Sequence, residues 1–259
     1  MKPLQIAAII LFALSVSAQT PLSTGAVALS AEPHHHLIFE NGYVRAWNLD
    51  IPGGEATLLH EHAVPYFSVA LMPEDYVDAA PGVAEVHATP DDGQLDYSPG
   101  GGADVLRTDS GTRLESLVIE LLHPQGSARN RCVKVIDAPL NCPVDAAGRT
   151  AAETPVFETD EILVQAGGLP QGRFYNAESS AGPRLFVVLS DSEISVEPRG
   201  EKTQKLHGGQ LYWLPEGVSA VISDIRKESK KGRDRDAREE LKLSRFYILS
   251  FKDAAGPHP

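Results

Sequence analysis

From His36 onward the chain is a succession of short apolar runs rich in Val, Ile, Leu, Tyr and Phe. Gly and Pro break these runs at intervals of roughly 8–12 residues, the pattern of an all-β sandwich or barrel. Predicted strands in the first half are Tyr43–Leu49, Thr57–His62, Tyr66–Met72, Gln94–Ser98 and Leu114–Leu122. The second half gives Glu161–Gln165, Arg173–Asn176, Arg184–Leu189, Gln210–Leu214, Ser219–Ser223 and Arg245–Phe251. Helical periodicity is sustained only in the charged stretch Glu228–Leu243, which predicts one surface helix.

The two halves repeat one another. The run GQLDYSPGG from Gly93 returns as GQLYWLPEG from Gly209, and FENGYV from Phe39 returns as FETDEI from Phe157. Order and spacing are kept at an offset of 116 to 118 residues, so the chain reads as one unit duplicated. The predicted organisation is a signal segment over 1–18, a loose leader over 19–35, a first unit over 36–126, a linker over 127–155 and a second unit over 156–259.

The N-terminal segment has the form of a secretory signal: Lys2, an apolar run from Ile6 to Val16, and small residues ending at Ala18. The run is too short to span a bilayer. The mature protein is therefore expected to be exported, either periplasmic or extracellular. In such a compartment Cys132 and Cys142, the two cysteines of the chain, are expected to form a disulfide. A loop that short, if unstrained, stabilises by roughly 2–3 kcal/mol. A net charge of −12 argues against nucleic acid and anionic membranes as partners. No Gly-x-Ser-x-Gly elbow, P-loop or dinucleotide fingerprint is present.

The sharpest local signal is His60-Glu61-His62. On a strand, residues two apart share a face, so the two imidazoles point the same way and can share a metal if another ligand arrives from elsewhere. His34, His35 and His36 lie at the end of the leader and read as solvated surface, while His87 and His123 stand singly. Glu120 interrupts the apolar run Leu117–Leu122, so burial would require a partner. Arg45, on an early strand of the same unit, is the expected one, and the alternative is that Glu120 faces the pocket as a general base. Tyr66, Phe67 and Tyr97 are candidates to line a pocket or fill a core.

The run PGGE-x4-HEH from Pro52, followed about 30 residues later by GQLDYSPGGGAD, resembles the two motifs of the cupin superfamily. The likeness covers Leu37 to about Gly126 well and Val156–Phe251 faintly. It implies two tandem jelly-roll-like β-barrels, a bicupin, with the pocket inside the barrel. It places the motif-one histidines on His60 and His62, the usual glutamate near Tyr66 or Phe67, the motif-two histidine on Asp104 and the following asparagine on Thr108. The three-histidine, one-glutamate set is thus out of reach in this alignment. His60, His62 and Asp104 remain, able to hold Fe, Mn or Zn as a divalent ion, or else to stand as remnants of a lost site. The second unit has Asn176-Ala177-Glu178 and Ala220 at the corresponding places and is expected to hold no metal. Three readings stay open: a metal-dependent enzyme of oxygenase or isomerase type, a metal-free module for a small-molecule ligand, and a scaffold protein, as monomer or homodimer.

Overall fold

The computed structural model describes residues 25–109, 111–131, 154–169, 172–197, 203–225 and 244–252. The signal segment, the Cys132–Cys142 disulfide, the run from Ala146 to Ala152 and the charged helix over 228–243 lie outside the described residues. No helix among the described residues is long and apolar enough to cross a membrane.

Strands dominate. The first half supplies β1 (Val27–Ala28), β2 (His35–Glu40), β3 (Val44–Ile51), β4 (His60–His62), β5 (Tyr66–Ala70), β6 (Tyr76–Ala79), β7 (Val86–Ala88), β8 (Leu95–Ser98), β9 (Gly102–Thr108) and β10 (Leu114–Leu121). The second supplies β11 (Arg129–Asn130), β12 (Thr154–Glu158), β13 (Ile162–Leu169), β14 (Phe174–Ala177), β15 (Arg184–Val188), β16 (Ser192–Glu197), β17 (Gln204–Leu206), β18 (Leu211–Leu214), β19 (Ser219–Asp224) and β20 (Ser244–Phe251).

Each half forms two sheets from its own strands. The orders are β1-β4-β9-β6-β7 and β2-β3-β10-β5-β8, then β14-β19-β16-β17 and β11-β12-β13-β20-β15-β18. Adding ten to each number carries β2-β3-β10-β5-β8 onto β12-β13-β20-β15-β18, and β4-β9-β6-β7 onto β14-β19-β16-β17. The repeat in sequence therefore has a counterpart in connectivity. The sheets are open, and no closed barrel is found among the described residues.

The central strands of the long sheets, β3 and β10 in one half and β13 and β20 in the other, are largely buried on both faces. On β10, Leu117, Ile119 and Leu121 join Phe67, Val69, Val164, Leu185 and Leu249 in a core shared between the halves. The alternate residues Leu114 and Val118 turn inward to Trp47, Leu49 and Ile51, the interior of the first half. The join is completed by Arg245 against Asp92, and by the Tyr247 hydroxyl donating to the Gly93 carbonyl at 2.7 Å.

The stretch expected as a loose leader is partly built into the first half. Its β1 runs parallel to β4, pairing Val27 with His60, and Leu29 is buried in the interior core. The turn from β8 to β9 requires Gly100, whose φ is +73° and where any Cβ would meet the Val64 carbonyl. That close approach brings the Gly101 N–H to the His62 carbonyl at 2.7 Å.

Glu120 pairs across the ladder with Arg45, whose Nη1 lies 3.4 Å from Oε2. The nearer partner is neutral: Trp47 Nε1 donates to the same oxygen at 2.9 Å. Arg45 also holds Glu40 at 2.9 Å and its side chain is 36% exposed, so the arginine closes the solvent edge of a buried carboxylate–indole contact. Glu120→Ala orphans the indole N–H and should destabilise by about 1–3 kcal/mol. Thermal denaturation should show a lowered midpoint, and combining Trp47→Phe with Glu120→Leu should recover part of the loss.

Candidate metal centre

The site begins with β4. All three of its residues are buried, with β1 on one side and β9 on the other. His60 stands opposite Asp104 and His62 opposite Gly102, so the two imidazoles share the inner face. A third imidazole comes from the facing sheet: His35, the first residue of β2. One ligand atom from each of His35, His60 and His62 falls within 4.8 Å of the others. Ring centroids are 4.8 Å apart for His35 and His60, and 5.0 Å for His60 and His62.

His35 was the residue that sequence reasoning missed. It was expected on a solvated surface, and that expectation fails because Leu29 and β1 anchor the preceding segment. Of the three consecutive histidines, His36 is exposed, His34 is half-buried and His35 is buried. Glu32 fixes the arrangement. Its buried carboxylate accepts from His35 Nδ1 at 2.7 Å, from the His34 N–H at 2.8 Å and from the Leu58 N–H at 3.3 Å.

These contacts set the tautomers. His35 Nδ1 carries the proton it gives to Glu32, and His60 Nδ1 carries the proton it gives to the Leu58 carbonyl at 3.0 Å. Each Nε2 is left as a bare lone pair. His60 Nε2 lies 3.2 Å from Asp104 Oδ1, yet neither atom has a hydrogen-bond partner. His35 Nε2 and His62 Nδ1 are buried without partners as well. Lone pairs facing one another in a dry site call for a shared proton or cation. Asn48 Oδ1 and Glu61 Oε2 are also buried and unpartnered but stand singly. The histidine set therefore fits a divalent ion by the character of its donors.

Burial favours the neutral form of His35 and His62, the form in which a ligand binds. It pushes His35 down to about 4 and His62 down to about 3, with His60 adding to both. Burial pushes Asp104 up to about 6 against the pull of His60. Tyr66, where the resemblance places a glutamate, stacks on His62 at 4.0 Å with rings 19° apart. Burial, and Asp104 after it, push its hydroxyl up to about 12, so it stays a proton donor. Thr108 serves a turn instead, donating to the Pro52 carbonyl at 2.7 Å.

A cavity of about 180 Å³ opens beside the histidines, bordered by His35, His62, Tyr66, Asp78, Asp96 and Asp104 among others. Tyr97 also borders it, but its ring packs on Phe157 at 4.5 Å and Phe67 at 5.4 Å, in the core shared with the second half. Glu120 does not border it. His87 pairs with exposed Asp75 at 3.0 Å and His123 stacks on Tyr43, both away from the site.

The second half fills the same space with carbon. Where β4 and β9 pair His60 with Asp104, β14 and β19 pair Ala177 with Ala220. By the same registers Phe186 takes the place of Ser68, Tyr212 that of Asp96 and Ile194 that of Asp78. All of these second-half residues belong to or pack on its apolar core. A groove of about 420 Å³ between the halves, lined by Phe39, Leu71 and Gly209 among others, touches none of the histidines.

No protein-family model and no curated protein matches the sequence. In structure, the chain is similar to AerE from Microcystis aeruginosa, with a TM-score of 0.51 and 11% identity, over 86% of this chain and 99% of that one. It is similar to a variant of salicylate 1,2-dioxygenase from Pseudoaminobacter salicylatoxidans in complex with gentisate, at TM-score 0.50 and 12% identity, over 84% and 73%. A cupin 2 conserved barrel domain protein from Leptotrichia buccalis also matches, at TM-score 0.46 and 9% identity, over 84% and 88%. At these identities the likeness concerns the fold alone, which is all-β among the described residues.

In the unfolded chain the imidazoles titrate near 6.5. Between about pH 6.5 and 4 the unfolded state therefore holds more protons than the fold at His35 and His62, so their contribution to stability falls as pH falls. Asp104, held up at about 6, and Glu74, pushed up by burial to about 7, act in the opposite sense. Subtraction isolates the histidine share: chelator-treated His62→Asn should lose less stability than wild type between about pH 7 and 4. Urea unfolding across that range measures it.

Proposed function

We propose that this chain is an exported two-domain cupin whose first domain holds a divalent metal ion through His35, His60 and His62, with Asp104 at its edge, and acts on a small molecule in the adjoining cavity. One observation carries the reading: three buried imidazole nitrogens without partners converge from two facing sheets. When bound, such an ion supplies Lewis-acid or oxygen chemistry, with Fe, Mn and Zn the ions suited to imidazole and carboxylate. The chain's own residues do the rest. Glu32 holds His35 in its ligating tautomer, Leu58 does the same for His60, and Tyr66 braces His62 and offers a hydroxyl proton to whatever occupies the cavity. The fold shared with a dioxygenase variant solved with gentisate is in keeping with a small-molecule ligand. The matching strand orders support the tandem arrangement, with a second domain that has no imidazole at the corresponding ladder positions. Export and a Cys132–Cys142 disulfide are proposed from the N-terminal segment and the paired cysteines.

Elemental analysis of untagged protein purified without chelators tests this. Stoichiometric iron, manganese or zinc is expected, lost in the His35→Ala/His60→Ala/His62→Ala variant. Glu32→Gln should keep the ligands but weaken metal affinity about 10–100-fold, as loss of a carboxylate behind a ligating histidine does. Absence of metal in the wild type, or its retention in the triple variant, overturns the metal reading. A ligand that raises the melting temperature of metal-free protein would then favour a binding module.

A further inference from the structure

We propose that the cavity beside the histidines takes a small organic cation, its charge met by Asp78 and Asp96 and its body lodged against Tyr66 and Tyr76. This deepens, and rests on, the reading of that cavity as the small-molecule site. Three carboxylates border the cavity, those of Asp78, Asp96 and Asp104, while among the described residues no Lys or Arg does. They arrive from separate strands of both sheets: Asp78 on β6 and Asp104 on β9 in one, Asp96 on β8 in the other. Negative charge therefore surrounds the space instead of lying along one exposed edge.

The space is also a built one. His35 and His62 border it, both are buried, and each keeps a ring nitrogen without a hydrogen-bond partner. Asp96 is held in place by Gln94 Nε2 at 3.1 Å. In metal-free protein an anion entering here meets like charge, with no cationic side chain among the described lining residues, an arrangement that costs free energy. A cation gains carboxylates and, from Tyr66 and Tyr76, aromatic surface that attracts positive charge. The volume of about 180 Å³ limits the guest to a few heavy atoms or a single ring.

The second half shows that the fold does not require this polarity. Ile194 and Tyr212 occupy the ladder positions of Asp78 and Asp96, within a filled apolar core. Both aspartates are dispensable for closing such a sheet pair, and a role toward a ligand accounts for their presence.

Three probes of one shape separate charge from fit: choline, its neutral isostere 3,3-dimethyl-1-butanol, and the anion 3,3-dimethylbutanoate. None of the first two offers a nitrogen lone pair to a metal. Titration calorimetry on chelator-treated protein should show choline binding at least about tenfold more tightly than the alcohol, and the anion most weakly. Asp78→Asn and Asp96→Asn, each checked for an unchanged circular dichroism spectrum, should each reduce the preference for choline over the alcohol. The proposal is overturned if the anion or the alcohol binds as well as choline, if the preference survives both substitutions, or if none of the three binds at millimolar concentration. Metal content, measured separately, distinguishes this outcome from failure of the metal reading: a cation preference in a protein without metal leaves this inference standing, and metal with an anion preference sinks this inference alone.

Discussion

A strand covered on both faces has no bulk water to satisfy its polar side chains, and the middle of the central sheet of the first half is built of such strands. Its strand β10 sends alternate residues into two different cores, one shared between the halves and one inside the first. Every polar group there must find a partner within the protein or remain at a cost of about 1–3 kcal/mol. Most do: Glu120 has Trp47, Ser116 Oγ donates to Glu74 at 2.8 Å, and the Tyr247 hydroxyl reaches Gly93 across the join. The unpartnered nitrogens at the histidine site stand out because they converge, whereas Asn48 Oδ1 and Glu61 Oε2 stand singly.

Position for position, the halves share a ladder but not its contents. Phe186 is fully buried in the second half, at the register where Ser68 leaves room in the first. Replacing Asp78, Asp96 and Asp104 with Ile, Tyr and Ala turns a polar cavity into a filled hydrocarbon interior on the same strand order. The shared strand order thus tolerates either filling.

Much of this was legible in the chain. Apolar runs punctuated by Gly and Pro located β3, β5, β10, β13, β15 and β20, because strands buried on both faces are apolar nearly throughout. The face shared by His60 and His62 followed from the two-residue period of a strand. Strands such as β6, β9 and β16 were missed, since Asp, Gly or Ser interrupts their apolar pattern. Asp78 went with β6: a carboxylate aimed inward reads, in sequence, as a loop residue. His35 was hidden by its neighbours, for three consecutive histidines after a small polar stretch look solvated. The signal that could have found it is Glu32 three residues before it, together with Leu29, an apolar anchor in a segment otherwise read as loose. Tyr97 borders the cavity, as its residue type suggested, while Glu120, named for the pocket on the same ground, is taken up by Trp47 and Arg45 near the end of β10.

The placement of His35 upstream of both motifs affects how such chains can be cut and compared. A fragment started at residue 36, the boundary suggested by the apolar pattern, would retain the whole His-x-His phrase and Asp104. It would nonetheless lack one nitrogen of the chelate, the acid behind it and the strand alongside His60. Its folding and its chelation would fail for the same missing segment, Val27 to His35, so that loss of metal by the truncated protein would say nothing about the intact one.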